Sequence, residues 1–299
     1  MKTSIYKRVL AIAAFAAMGL LTSPSAQAVV TYSQGDLLMG FRKVGFSDVV
    51  INIGSAGTLY RDAASNFTVT TGDLGGLLTT NFGATWYSDS SLLWGVFGSP
   101  NATGANATLF NGDFGKTIYV SKEQTTIGTQ STPLTDAGGT LFTGTSPNVT
   151  TRNGASADIA TLQTAFAARP EAPSNAFATI WDPATVNAVA SDWTDAVTGF
   201  GRSGLAFNTF TPGAIQGGDA LGLQNNGLDL YRVTGNSAGA NGGGIAGYEG
   251  TFFIDNTGAV TFSTTPSIAA VPEPSRAVLL AAGLCSLVLR RRRRIAVQA

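Results

Sequence analysis

Apolar residues recur in short bursts along most of this chain, separated by glycine and by clusters of Thr, Ser and Asn. In DVVINIG, Val49, Ile51 and Ile53 alternate with Val50 and Asn52, and Gly54 closes the run. This period of two predicts a strand with one well-buried face. The same reading predicts strands over 37–41, 66–71, 92–97, 117–121 and 140–143, and a hairpin from Tyr248 to Ser263 turning on Asp255, Asn256, Thr257 and Gly258. The period changes in the middle of the chain. Ser156 is placed to cap a helix whose Ile159, Leu162 and Phe166 share a face and which Pro170 ends. A second helix is predicted behind Asp182 and Pro183, with Val186, Val189, Trp193 and Val197 as its stripe. These elements predict a mainly β protein, with an antiparallel β-sandwich-like body and about two short α-helices.

Composition supports that body. The chain has 299 residues, 44% of them hydrophobic, 12% charged and 37 of them glycine, enough to bury a core without staples and too glycine-rich for a helical bundle. The formal net charge of zero hides an asymmetry. Between residues 29 and 270, nine basic residues stand against seventeen acidic ones, so this part of the chain is not a nucleic-acid binder, which needs clustered basic surface. The basic residues that balance it lie at the two ends.

Residues 1–28 have the parts of a secretory signal peptide: Lys2, Lys7 and Arg8, an apolar helix-forming run from 9 to 21, and Ala26-Gln27-Ala28 as the cleavage site. The secretory translocon and signal peptidase are therefore expected partners, and the mature chain is expected to start at Val29. At the other end, residues 277–289 form a second apolar run of thirteen residues. As a helix it reaches ~20 Å, short of a hydrocarbon core of ~30 Å. Arg290, Arg291, Arg292, Arg293 and Arg294 follow, and such a cluster stays on the cytoplasmic side, which leaves the body outside.

Val271, Pro272, Glu273, Pro274 and Ser275, then the apolar run, then the arginines, resemble the PEP-CTERM sorting signal of Gram-negative bacteria that make extracellular polysaccharide. The resemblance implies recognition at the membrane by an exosortase, a multi-pass cysteine transpeptidase that removes the segment and releases or transfers the protein. Pro272, Glu273 and Pro274 would be the recognition motif, kept extended because proline forbids a helix there. Residues 277–289 would be a transient span and the arginines its stop. The body bears a weaker likeness to other PEP-CTERM proteins of unknown function. The chain then divides into 1–28 (signal), 29–263 (exported β domain), 264–270 (linker) and 271–299 (sorting signal), with the cell surface or extracellular matrix as its destination.

Chemistry inside the body is sparse. Histidine is absent and the one cysteine, Cys285, lies in the tail, so Ser-His-Asp and Cys-His hydrolases, Cys/His zinc sites and internal disulfides are excluded. A Ser-Lys pair would have to use Lys43, Lys116 or Lys122, none in a recognisable context. Gly115-Lys116-Thr117 lacks the glycine spacing of a P-loop and precedes a strand, so it reads as a turn. Asp192 and Asp195 are the closest carboxylates to a glycosidase pair and read as a solvated helix face. No cofactor is expected, and the residues with the right oxygens for calcium are Asp255, Asn256, Asp113 and Asn111. Trp86 and Tyr87 are the candidate platform for stacking a sugar, with an aromatic edge closing the core as the alternative. The expectation is a non-enzymatic exported protein associated with extracellular polysaccharide, with a carbohydrate-binding module as the alternative and a carboxylate glycosidase third.

Overall fold

Strand β1 (Asp36–Arg42) is apolar on both sides, and the rest of the architecture follows from where its two faces go. Leu37, Met39 and Phe41 enter one core while Leu38 enters another. Its neighbour β2 (Asp48–Ser55) does the same, with Val49, Ile51 and Ile53 on the first side and Val50 on the second. The strand read as having one buried face therefore has two, and a sheet of this kind needs a cover on each side.

The computed structural model of the protein describes residues 28–43, 45–100, 109–110, 112–135, 149–181, 213–214, 227–235 and 244–267. The expected strand at 140–143, the expected helix after Asp182, residues 1–27 and the tail from 268 lie outside the described residues. Within them the chain adds β3 (Phe67–Val69), helix α1 (Leu74–Phe82), β4 (Leu93–Gly98), β5 (Leu109–Phe110), β6 (Asp113–Phe114) and β7 (Ile118–Glu123). Helix α2 (Val149–Ala167), β8 (Ala178–Trp181), β9 (Gly213–Ala214), β10 (Leu228–Gly235), β11 (Gly244–Ile254) and β12 (Val260–Ser263) follow. The body is mainly antiparallel β with short helices, as its pattern predicts. Nine strands form one sheet in the order β3-β12-β11-β10-β7-β4-β1-β2-β8, with β9 paired to β4 and β5–β6 a separate two-stranded hairpin.

The sheet curls into a half-barrel, so the layers of a sandwich come from one sheet folded over its own core. Tyr60 shows how far it bends. A single π-helical turn, Ala56–Tyr60, carries it off the end of β2, near one edge of the sheet. Its ring lies 5.5 Å from Phe67, 5.3 Å from Phe252 and 5.0 Å from Phe262, on the three strands at the other edge. The ring is fully buried and its hydroxyl donates to the Ile53 carbonyl at 2.6 Å. Helix α1 adds Leu74, Leu77, Leu78 and Phe82 to this inner core. It starts at Asp73, whose side chain accepts from the Gly76 amide at 3.0 Å. Gly75 lies so close to the β11–β12 loop that a Cβ there would stand 1.9 Å from the Thr257 carbonyl oxygen, and one at Gly258 would stand 2.5 Å from the Gly75 Cα. Glycine at both places lets the helix seat on the loop.

Helix α2 covers the outer face. Ala155, Ile159, Leu162 and Phe166 pack against Leu38, Val50, Phe97 and Val120, and the Gln163 amide donates to the Asp36 carbonyl at 3.1 Å. The helix begins at Val149, seven residues before the expected cap. Ser156 is therefore an interior residue, fully buried, with its hydroxyl 2.8 Å from that of Ser99. Pro170 does follow the end of the helix, and it bridges Val29 there.

Curvature held by one ring gives a direct expectation. Tyr60→Ala should cost about 3–5 kcal/mol of unfolding free energy, the range for emptying an aromatic site, and Tyr60→Phe about 1 kcal/mol for the hydroxyl alone. Chemical denaturation of the two variants checks this, and near-equal losses would place the stabilisation in the hydrogen bond instead.

Candidate functional site

Where the two edges of the curled sheet approach one another they leave a groove of about 270 Å³, lined by Asn52, Ile53, Leu59, Tyr60, Phe67 and Phe177 among others. Its ends are fixed by polar ties. The Asn175 side chain donates to the Thr71 carbonyl at 2.9 Å, linking the turn before β8 to the chain after β3. Asn52 donates to the Thr31 carbonyl and to Asp36, each at 2.8 Å, and accepts from the Gly54 amide at 2.9 Å. With its amide committed in this way, Asn52 is a structural strut. Leu59 (44% exposed) and Phe177 (38%) flank the opening. The remaining polar groups are the hydroxyls of Thr31, Thr68 and Thr70 and of Tyr60, whose ionisation burial and then Asp36 push above the usual tyrosine range. Among the described residues that line this groove none is a carboxylate, lysine or arginine, and what they offer is apolar contact beside a few hydroxyls.

The charged groups gather elsewhere, on the inner side of β10 and β11. Leu230 pairs with Gly250 but Tyr231 pairs with Tyr248, so Glu249 is the extra residue of a β-bulge and turns toward Arg232. Arg232 Nε stands 3.0 Å from Glu249 Oε1 and its Nη1 3.5 Å from Asp113 Oδ1. Arg61 Nη1 reaches the same Asp113 oxygen at 3.2 Å, and the Tyr119 hydroxyl donates to Asp113 Oδ2 at 2.5 Å. The Asp62 amide donates to Glu249 Oε2 at 3.0 Å. Burial pushes the Glu249 carboxyl up, against the pull of that amide and of Arg232. Burial, then Asp113, pushes the Tyr119 phenol above its usual range. Asp113 and Glu249 are a pair of buried carboxylates, the feature a glycosidase needs, but the Arg232 guanidinium bridges them and Arg61 takes up Asp113 as well. The cluster fastens the β5–β6 hairpin and the Arg61–Asp62 turn to the sheet.

The residues singled out from sequence fall in several places. Trp86 is a correction: it is 2% exposed, inside the inner core, and offers no face to a sugar. Tyr87 packs edge-on to it at 5.8 Å and is partly buried. The alternative of an aromatic edge closing the core is the one observed. Beside them the salt bridge from Lys43 to Asp89 measures 2.6 Å and, with Ser91, holds the Asp89 carboxyl down to about 2. Of the calcium candidates, Asp113 is taken up by arginine, and Asp255 Oδ1 accepts from the amides of Thr257 and Ala259 within its own loop. Asn111 lies outside the described residues, and among the described residues no group of three or more His, Cys, Asp and Glu comes together. Gly115 and Lys116 form a turn before β7, as read. Lys122 is bonded to Thr132 Oγ1 and its carbonyl, both at 2.8 Å, and burial lowers its proton affinity. Asp192, Asp195, Ala26, Val271 to Ser275 and Arg290 to Arg294 lie outside the described residues, and among those described no helix is long and apolar enough to cross a membrane.

No family model, curated protein or solved structure matches the chain.

If the ionic cluster is structural, Arg232→Met leaves the buried Glu249 carboxylate without its guanidinium, while Asp113 keeps Arg61, and should cost about 3 kcal/mol. Adding Glu249→Leu to it should restore part of that loss. Denaturant midpoints of the single and double variants measure the coupling, and additive losses would contradict it.

Proposed function

We propose that this chain is an exported, non-enzymatic protein of the cell surface or extracellular matrix, carried out by its N-terminal signal and processed at its C-terminal PEP motif. The observation that carries the reading is the ordered set of Val271 to Ser275, thirteen apolar residues and five arginines within thirty residues of Ala299. An apolar run this short is a poor permanent anchor and suits a segment held briefly and cut.

The limits of the fold support the same division. Val29 bridges Pro170 and Val30 is buried in the outer core, so a chain beginning at Val29 keeps both. The last strand ends at Ser263, and the Gln124 side chain holds the Pro266 carbonyl at 2.8 Å, five residues before Val271. Ala28, the last residue before the expected cleavage, accepts from the Glu171 amide at 2.9 Å, a bond that a new amino terminus at Val29 gives up while the Val29 and Val30 contacts remain. Extracellular polysaccharide is the proposed surrounding, and exosortase and signal peptidase are the proposed processing partners. The alternative of a carbohydrate-binding module no longer has Trp86 to support it. It draws instead on the groove, where the exposed ring of Phe177 sits among threonine hydroxyls.

Intact-mass measurement of the exported protein tests the sorting reading. The expected chain begins at Val29 and lacks the arginines. A mature chain that still ends at Ala299 would overturn it.

A further inference from the structure

Outside the groove and the ionic cluster, the outer side of β10 holds a third group of polar residues, Gln124, Asp229 and Thr251, all of them fully buried. They lie on three neighbouring stretches of chain: Gln124 just after β7, Asp229 on β10, and Thr251 on β11 directly opposite Asp229 in the ladder. The Thr251 hydroxyl donates to Asp229 Oδ1 at 2.6 Å, and Gln124 Nε2 donates to the same oxygen at 2.8 Å. The other carboxylate oxygen accepts from the Ser131 amide at 2.5 Å. Gln124 Oε1 accepts from the Gly128 amide at 3.0 Å. Because the Thr251 proton points to Asp229, the Tyr248 hydroxyl, 2.8 Å away, donates to Thr251 Oγ1.

We propose that this is the site of a self-made cross-link, an ester between the Thr251 hydroxyl and the Gln124 side-chain carbonyl, formed with loss of ammonia. Each requirement of acyl transfer has its group here. Thr251 is the nucleophile, already hydrogen-bonded to its base. Asp229 is that base and contacts the leaving nitrogen with the same atom. The Gly128 N–H is placed where negative charge develops on Oε1. Full burial keeps out water that would compete as nucleophile or hydrolyse the product. A second observation points the same way: at Gly227 a Cβ would lie 2.6 Å from Thr251 Cγ2 and 3.2 Å from Gln124 Oε1. The absence of a side chain there is what lets the threonine and the glutamine approach.

The step balances without any co-reactant. Thr251 Oγ1 bonds to Gln124 Cδ as its proton passes to Asp229 Oδ1, giving a tetrahedral oxyanion on Oε1. That intermediate collapses with cleavage of the Cδ–Nε2 bond, the nitrogen takes the proton back from Asp229, and ammonia leaves. Asp229 ends as it began. The product ties β11 to the end of β7 across β10, in a chain whose one cysteine lies in the tail and which has no disulfide to do so. The inference stands whether or not the tail is processed.

Mass spectrometry of the full exported protein, denatured and digested with trypsin, tests it. Cleavage after Lys122, Arg152 and Arg232 puts Gln124 and Thr251 on different peptides. The expected result is one linked pair lighter than its two peptides by one ammonia, lost in Thr251→Val and Asp229→Asn and kept in Thr251→Ser. Recovery of the two wild-type peptides separate and at full mass would overturn the proposal. So would glutamate at position 124 without a link.

Discussion

A sheet that closes toward itself needs a large apolar body at its centre of curvature, and here the ring of Tyr60 fills that place. It arrives from β2 on one turn of helix and meets Phe67, Phe252 and Phe262 on the strands at the opposite edge. Each contact of this kind adds about 0.5–1.5 kcal/mol beyond the area it buries. The groove exists because this contact stops the edges before they pair: Phe67 and Tyr60 are both core and wall. Asn175 then fixes the gap with a hydrogen bond from the β8 edge to the chain after β3.

The described part of the chain buries two sets of charged and polar groups, and each set has a mechanical task. The Asp113, Glu249, Arg61 and Arg232 cluster holds a hairpin and a turn against the inner side of the sheet. Asp229 gathers Gln124, Ser131 and Thr251 on the outer side. Unpaired, any of these groups would cost the full price of desolvation. Paired, they specify one register for β10 against both of its neighbours, since a slip of one residue would move Asp229 and Arg232 to the wrong faces.

The strands were the legible part of the sequence. Val49 to Ile53 and the hairpin around Asp255 carry a period of two that survives folding because each face meets a different core. Helix α1 was not read, because Gly75, Gly76, Thr79 and Thr80 lower its propensity, yet Asp73 and the spacing of Leu74, Leu77, Leu78 and Phe82 were available signals. Helix α2 was started too late: Ser156 has the chemistry of a cap, but tertiary burial of Arg152 and Ala155 extends the helix past it. The ionic cluster had no local signature, since its members come from positions 61, 113, 232 and 249 and Glu249 reaches it only through a bulge. Trp86 had two readings, a sugar platform or an aromatic edge closing the core, because the loop character of its neighbours says nothing about which way an indole turns.

The central proposal is that residues 29–267 hold the half-barrel by themselves and that the two ends, read as addresses, are not needed for it. Thermal unfolding of residues 29–267 alone, followed by near-UV circular dichroism beside the exported protein, tests this most directly. The account predicts a single cooperative transition at the same midpoint. A truncated chain without near-UV signal, or one whose midpoint falls by more than about 5 °C, roughly 1–2 kcal/mol for a domain of this size, would contradict it.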